Sequence, residues 1–172
     1  MNFQLDQALE ILAQTPATLD ALLRHKSPAW LNARIAPQAF SPIDVLGHLS
    51  LAETTNWLPR IRMILAHDLT PFPPFDRFAF QPLITNHSIA ELLDNFAYLR
   101  HQSLQTLAAL NLTEADLNLP GIHPQFGPIT LRNQLSTWAV HDLTHTNQIL
   151  KTLANEYREA VGPWQAYLSI LH

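Results

Sequence analysis

The stretch WAVHDLTHTNQIL, residues 138–150, sets His141 and His145 four positions apart in an otherwise apolar segment. A helix turns about 100° per residue, so positions four apart differ by about 40° and rise about 6 Å. Both rings therefore leave one side of a helix, on a stripe shared with Gln134, Trp138, Gln148 and Ile149 and flanked by Leu135, Ala139 and Leu153. The spacing predicts a helix from Thr130 to about Asn155, with the histidine pair facing the interior of a bundle or the mouth of a cleft.

Working outward, apolar residues elsewhere also recur at three- and four-residue spacing, with only four glycines and no convincing alternating run. That pattern predicts an all-α fold. A first helix spans Phe3 to about Arg24, where Pro16 is expected to kink it or to restart it after a cap at Thr15. A second opens at FSPIDVLGHL, with Ser41 as N-cap, Pro42 in the first turn, Asp44 at the positive end, and Phe40 and Val45 spaced as a hydrophobic staple. Pro59 predicts a kink or break in it between about Thr55 and Pro59. A third starts at the capping box of Ser88 and Glu91 and carries Leu92, Leu93, Phe96, Leu99, Leu104 and Leu107.

Two long connections separate these helices. TPFPPFDRFAFQPLITNH, residues 70–87, is too rich in proline for a regular helix, and NLTEADLNLPGIHPQFGPI, residues 111–129, carries turn signals at Pro120-Gly121 and Gly127-Pro128. GPWQAYLSILH at the C-terminus reads as a turn and a short helix with Pro163 just inside it. The sum is a four-helix bundle with long crossover loops.

Composition narrows the function. The chain has 172 residues, 47% hydrophobic and 14% charged, against roughly 25% charged in an average soluble domain. This predicts one domain over residues 1–172 with apolar surface left for a dimer or a ligand cleft. A formal charge of -4 and scattered basic residues argue against nucleic acid as a partner. There is no cysteine, which excludes disulfides, thiolate metal ligands and a protein-borne sulfur nucleophile. The acidic, amphipathic MNFQLDQALEILAQ lacks the pattern of a signal peptide, and no segment has the apolar length of a membrane span, so a cytoplasmic protein without a membrane partner is expected.

The HxxxH pair alone is as compatible with hydrogen-bonded core histidines as with metal, because it lacks the intervening glutamate of HExxH. His48 changes that balance, since it shares the inward face of the second helix with Val45, Leu49 and Ala52. Three inward histidines are a costly set of buried polar groups without a common partner, and neutral imidazoles are good ligands for divalent zinc, nickel or iron.

FSPIDVLGHL, the loop with FDRFAF, HPQFGPITL and HDLTHTNQI, in that order, resemble the DinB/YfiT-like superfamily over nearly the whole chain. The strongest element is one histidine early in the second helix followed by HxxxH in the fourth. The resemblance implies a four-helix bundle, often a homodimer, with a divalent metal held by His48, His141 and His145. It also brings to mind enzymes that use low-molecular-weight thiols, bacillithiol transferases and mycothiol-dependent isomerases. The expected activity is therefore a metal-dependent thiol S-transferase or a metal-assisted hydrolase acting on a small molecule. The alternative is a non-catalytic, metal-stabilised binding or stress-response module.

Other residues have competing roles. His123 suits a general acid or base above the metal, or an ordinary surface loop. Arg77 suits a substrate carboxylate or, with Asp76, a structural ion pair. Gln148 is placed to hydrogen-bond a ligand or water. Asp142 points about a quarter-turn from His141 on the same helix and is expected to cap or pair with a neighbouring segment. Glu53 is expected at the surface or in an interhelical ion pair. Trp57, Trp138 and Trp164 read as core or interface anchors, and the remaining histidines receive no role.

Overall fold

The computed structural model describes residues 3–172. In chain order these form α1 (Leu5–Leu23), the single turn α2 (Pro28–Leu31) and α3 (Pro42–Ala52), which runs through a π-helical turn (Glu53–Trp57) into α4 (Leu58–Leu65). After them come the short α5 (Gln81–Asn86), α6 (Ile89–Ala109), the strands β1 (Pro120–His123) and β2 (Gly127–Thr130), and α7 (Leu131–Asn155). α1 and α3 each pack against both α6 and α7, which makes the expected four-helix bundle. Among the described residues no helix is long and apolar enough to cross a membrane.

The helix starts are where the sequence places them. Ser41 accepts from the Asp44 N–H while Asp44 accepts from the Ser41 N–H, and Ser88 with Glu91 and Thr130 with Asn133 repeat the reciprocal pair. Each box satisfies two of the donors that a helix N-terminus leaves open.

At neither proline does the helix break and restart. α1 continues through Pro16. The ring removes the N–H that would bond the Leu12 carbonyl, and Nη1 of Arg100 donates to that carbonyl instead, at 2.8 Å. Near Pro59 the helix neither breaks nor restarts but widens into the π-helical turn, so that Pro59 falls in the first turn of α4.

Both crossovers are also more ordered than they read. Residues 81–86 form α5, with Pro82 in its first turn. Residues 120–130 form an antiparallel hairpin in which Pro120 faces Thr130 and His123 faces Gly127. Four-residue strands are too short to show an alternating pattern, and Pro120-Gly121 lies within a strand rather than at a turn. Gly121 is required by packing, because a Cβ there would stand 2.7 Å from both Ile64 and Phe72. The Phe72 N–H donates to the Ile122 carbonyl at 2.9 Å, which straps the first crossover to the second. The C-terminal segment is 3-10 rather than α-helical, over Gly162–Tyr167 and Ser169–Leu171.

Two apolar clusters fill the bundle, one built on Leu12, Leu107, Leu135 and Trp138, the other on Leu19, Leu46, Phe96 and Ile149. Between them, on α6 and α7, lies a polar layer that includes Arg100 and Asp142, beside Pro16 of α1. Arg100, 1% exposed, pairs with Asp142 at 2.5 Å and with Glu53 at 2.7 Å. Burial alone would lower its pKa, and the carboxylates of Asp142 and Glu53 reverse this and hold it above the usual value.

Removing this cation leaves two buried carboxylates without a counter-charge and the Leu12 carbonyl without its donor. Arg100→Leu should destabilise the fold by about 3–5 kcal/mol in urea unfolding, and adding Glu53→Gln and Asp142→Asn should recover part of that loss. A single variant as stable as the wild type would contradict the cluster's role.

Candidate metal centre

The capping box at Ser41 fixes the start of α3 and so the direction of His48, buried on its inward face. α7 presents His141 and His145 on successive turns toward it. Nε2 of His141 lies 3.2 Å from Nε2 of His48 and 3.2 Å from Nε2 of His145, and all three ligand atoms lie within 4.8 Å of one another. A tetrahedral zinc ion with bonds of about 2.0–2.1 Å holds its ligand nitrogens roughly 3.3 Å apart.

The outer faces of two rings decide what their inner faces offer. Nδ1 of His145 donates to Oε1 of Gln148 at 2.8 Å, and Nδ1 of His48 donates to the Arg77 carbonyl at 3.4 Å. A neutral imidazole has one N–H, so both rings turn an Nε2 lone pair toward His141. One proton on Nε2 of His141 cannot serve both lone pairs fully, whereas a dication at their convergence serves all three rings. Nδ1 of His141 is buried without a hydrogen-bond partner; the neighbouring Asp142 is committed to Arg100. The residues thus fit a divalent metal.

Burial, reinforced by the neighbouring imidazoles, pushes His48 down to about 4 and His141 down to about 3, and burial also lowers His145. All three are then neutral at pH 7, the state that ligates metal.

The triad opens into a cavity of about 430 Å³. Trp57 forms part of its wall, stacked on Trp138 with ring centroids 5.4 Å apart. Trp57 and Trp138 are core residues, one of the two expected roles, and Trp164 is 67% exposed. His123 stands at the end of β1 and lines the cavity; its Nδ1 accepts from the N–H groups of Gln125 and Phe126, which puts its proton on Nε2. Burial and the charge of Arg60 lower its pKa. Arg77 also lines the cavity, but its guanidinium lies over Phe40 and Phe78 rather than in an ion pair. Asp76 accepts from the Phe78 N–H. Gln148 lines the cavity too, with its Oε1 engaged by His145. Glu53 and Asp142 take the interhelical ion pairs that were among their expected roles.

Sequence reasoning missed Arg100, Arg60 and Asn56. Arg100 had a signal, since it follows Leu93 by seven positions and Phe96 by four on the inward stripe, where the reading placed Leu99. Asn56 and Arg60 lie in and just beyond the π-helical turn and had none.

The pKa shifts set a pH response. In the unfolded chain a histidine titrates near 6.5, above its folded value here, so the unfolded state binds more protons below pH 6.5. The stability held at neutral pH should fall as pH drops from about 6.5 toward 4, by about 1.4 kcal/mol per unit for each of the two histidines. Thermal unfolding of chelated wild type between pH 7.5 and 4.5, compared with a His48→Gln, His141→Gln double variant, reads this directly. Parallel curves for the two proteins would refute it.

A family model for the DinB superfamily matches residues 11–149. No curated protein matches the chain by sequence. Among solved structures, YfiT from Bacillus subtilis superposes with a TM-score of 0.74 at 20% identity, covering 92% of this chain and 88% of its own; it is described as a probable metal-dependent hydrolase with an unusual four-helix bundle topology. TT2238, described as a four-helix bundle protein, superposes with a TM-score of 0.60 at 24% identity, covering 86% and 98%. At these identities the superpositions bear on the fold, which they reproduce. The family model adds the sequence match across all four long helices, and the chain belongs to the DinB superfamily.

Proposed function

We propose that the chain is a divalent-metal-dependent enzyme of small molecules in which an exogenous low-molecular-weight thiol is the nucleophile. The observation that carries the reading is the convergence of His48, His141 and His145 on one point at the wall of a cavity. A zinc, nickel or iron ion held there by three nitrogens supplies a Lewis acid with open positions, able to lower the pKa of a water or a thiol.

The surrounding side chains favour the thiol. The carboxylates of Glu53 and Asp142 are held by Arg100 inside the bundle, and the residues lining the cavity are neutral or cationic. A thiol ionises near 8.5 and needs little help at pH 7, while water ionises near 15.7 and is commonly assisted by a carboxylate base. The chain supplies no sulfur of its own. In this reading His123, with its proton on Nε2, donates to the leaving group, so that R–SH and R′–X give R–S–R′ and HX. Gln148 and the Arg77 carbonyl keep the imidazoles oriented, and Trp57 and Phe40 keep water from one side of them.

A second reading, metal-assisted hydrolysis, draws on the description of YfiT and on His123 as a titratable group in the cavity wall. The exposed Val140, Leu143 and Leu150 share the outer side of α7 and support a homodimer through that face; sedimentation should give twice the chain mass, reduced to one on Leu143→Glu.

Elemental analysis of the untagged protein should find about one divalent metal per chain, lost on His141→Ala. The loaded protein should open an epoxide only when a small thiol is present, with His123→Ala slowing the opening, whose alkoxide oxygen must gain a proton, by about 10²-fold or more. Turnover of activated esters without thiol would select hydrolysis. Protein with intact histidines that takes up no metal at pH 7 would overturn both readings.

A further inference from the structure

We infer that the cavity selects an anionic substrate, a small carboxylate with a flat apolar body, and that Arg60 and Arg77 read its charge. The inference deepens the small-molecule reading above and rests on it, but is indifferent to whether the nucleophile is a thiol or water.

The first observation is an imbalance of charge. Arg60 and Arg77 are the ionised side chains lining the cavity, and among the described residues neither pairs with a carboxylate. Asp76, next to Arg77 in sequence, accepts from the Phe78 N–H; it lines a neighbouring recess that Arg60 also borders, but forms no ion pair with either arginine. A guanidinium drawn from water without a counter-charge is disfavoured, and Arg60 is half-buried in this state, with burial lowering its pKa. A ligand anion is the missing partner.

The second observation is that both cations are held in place. Arg60 lies over the Phe72 ring at 5.2 Å, and Arg77 lies over Phe40 at 5.0 Å and Phe78 at 4.9 Å. Aromatic faces attract guanidinium groups while leaving the N–H edges free. Those edges match a carboxylate bidentately.

The third observation concerns the rest of the ligand. Trp57, Phe75 and Phe126 give the cavity aromatic walls, and its volume of about 430 Å³ suits a small molecule. Phe126 is 72% exposed at the tip of the hairpin, stacked on His123 at 4.6 Å. An apolar ring lying between Phe126 and Trp57 would cover surface that otherwise faces water.

The test uses 4-phenylbutyrate and its neutral isostere 4-phenylbutyramide, titrated calorimetrically into the full chain, once loaded with zinc and once after chelation. The carboxylate should bind about tenfold more tightly than the amide in both states, and added salt should narrow the difference. Arg60→Gln and Arg77→Gln should each bring the carboxylate about threefold closer to the amide while leaving amide affinity unchanged. A Gln variant that fails to fold is replaced by the Lys variant, which keeps the charge and should retain part of the preference. Equal affinities, no binding of either probe, or a preference untouched by both arginine substitutions overturns the inference, as does a preference seen only with zinc present. Because the preference is read in chelated protein too, loss of the metal reading leaves it standing, and a metal-binding but charge-blind cavity removes it alone.

Discussion

The guanidinium of Arg100 is the point on which the four long helices agree. From α6 it reaches the Leu12 carbonyl of α1, Glu53 at the start of the π-helical turn, and Asp142 of α7. Glu53 also accepts from Nε1 of Trp138, a second link to α7. A buried cation is disfavoured unless its geometry is good and its donors are used, so this contact tolerates little sliding or rotation of any helix. The rotation of α7 matters most, because Asp142 and His141 are adjacent. Holding the one toward Arg100 turns the other toward His48.

The same layer separates the charges by sign. Carboxylates lie on the closed side, neutralised by Arg100, and imidazoles lie on the open side with two arginines beyond them. Exchanging these positions would put carboxylates beside the histidines and raise the basicity of the rings. As arranged, burial and nearby positive charge keep His48 and His141 unprotonated at neutral pH, with their lone pairs available. The ion cluster is thus as much a part of the site's electrostatics as of the fold's stability.

The helices and the histidines were legible because both follow from local rules. Capping boxes span four consecutive positions, and HxxxH needs one turn of helix. His48 could be placed because Ser41 and Pro42 fix where its helix begins. What was not legible depends on contacts between distant segments. Pro16 reads as a kink or a restart, and the side chain from α6 that takes the carbonyl it vacates cannot be read locally. The hairpin at residues 120–130 is too short for periodicity and is held by Phe72 from the other crossover. Arg100 was passed over for Leu99 because a hydrophobicity pattern treats a charge at an inward position as noise, although two partner carboxylates make it the most constrained side chain in the layer. Gln148 lines the cavity, with its oxygen engaged by the ring one turn before it.

The π-helical turn resets the rotational phase of everything after it. His48 and Arg60 are twelve residues apart, and at about 100° per residue an unbroken α-helix would point them about 120° from each other. A turn that accommodates one extra residue removes one step of that rotation, and the difference falls to about 20°. That is how a histidine in α3 and an arginine in α4 come to line one cavity. The insertion also displaces Pro59 to a first turn, where its ring is tolerated. A chain lacking one residue between 53 and 57 would keep every helix cap and all three histidines, yet it would swing Arg60 out of the wall it shares with them.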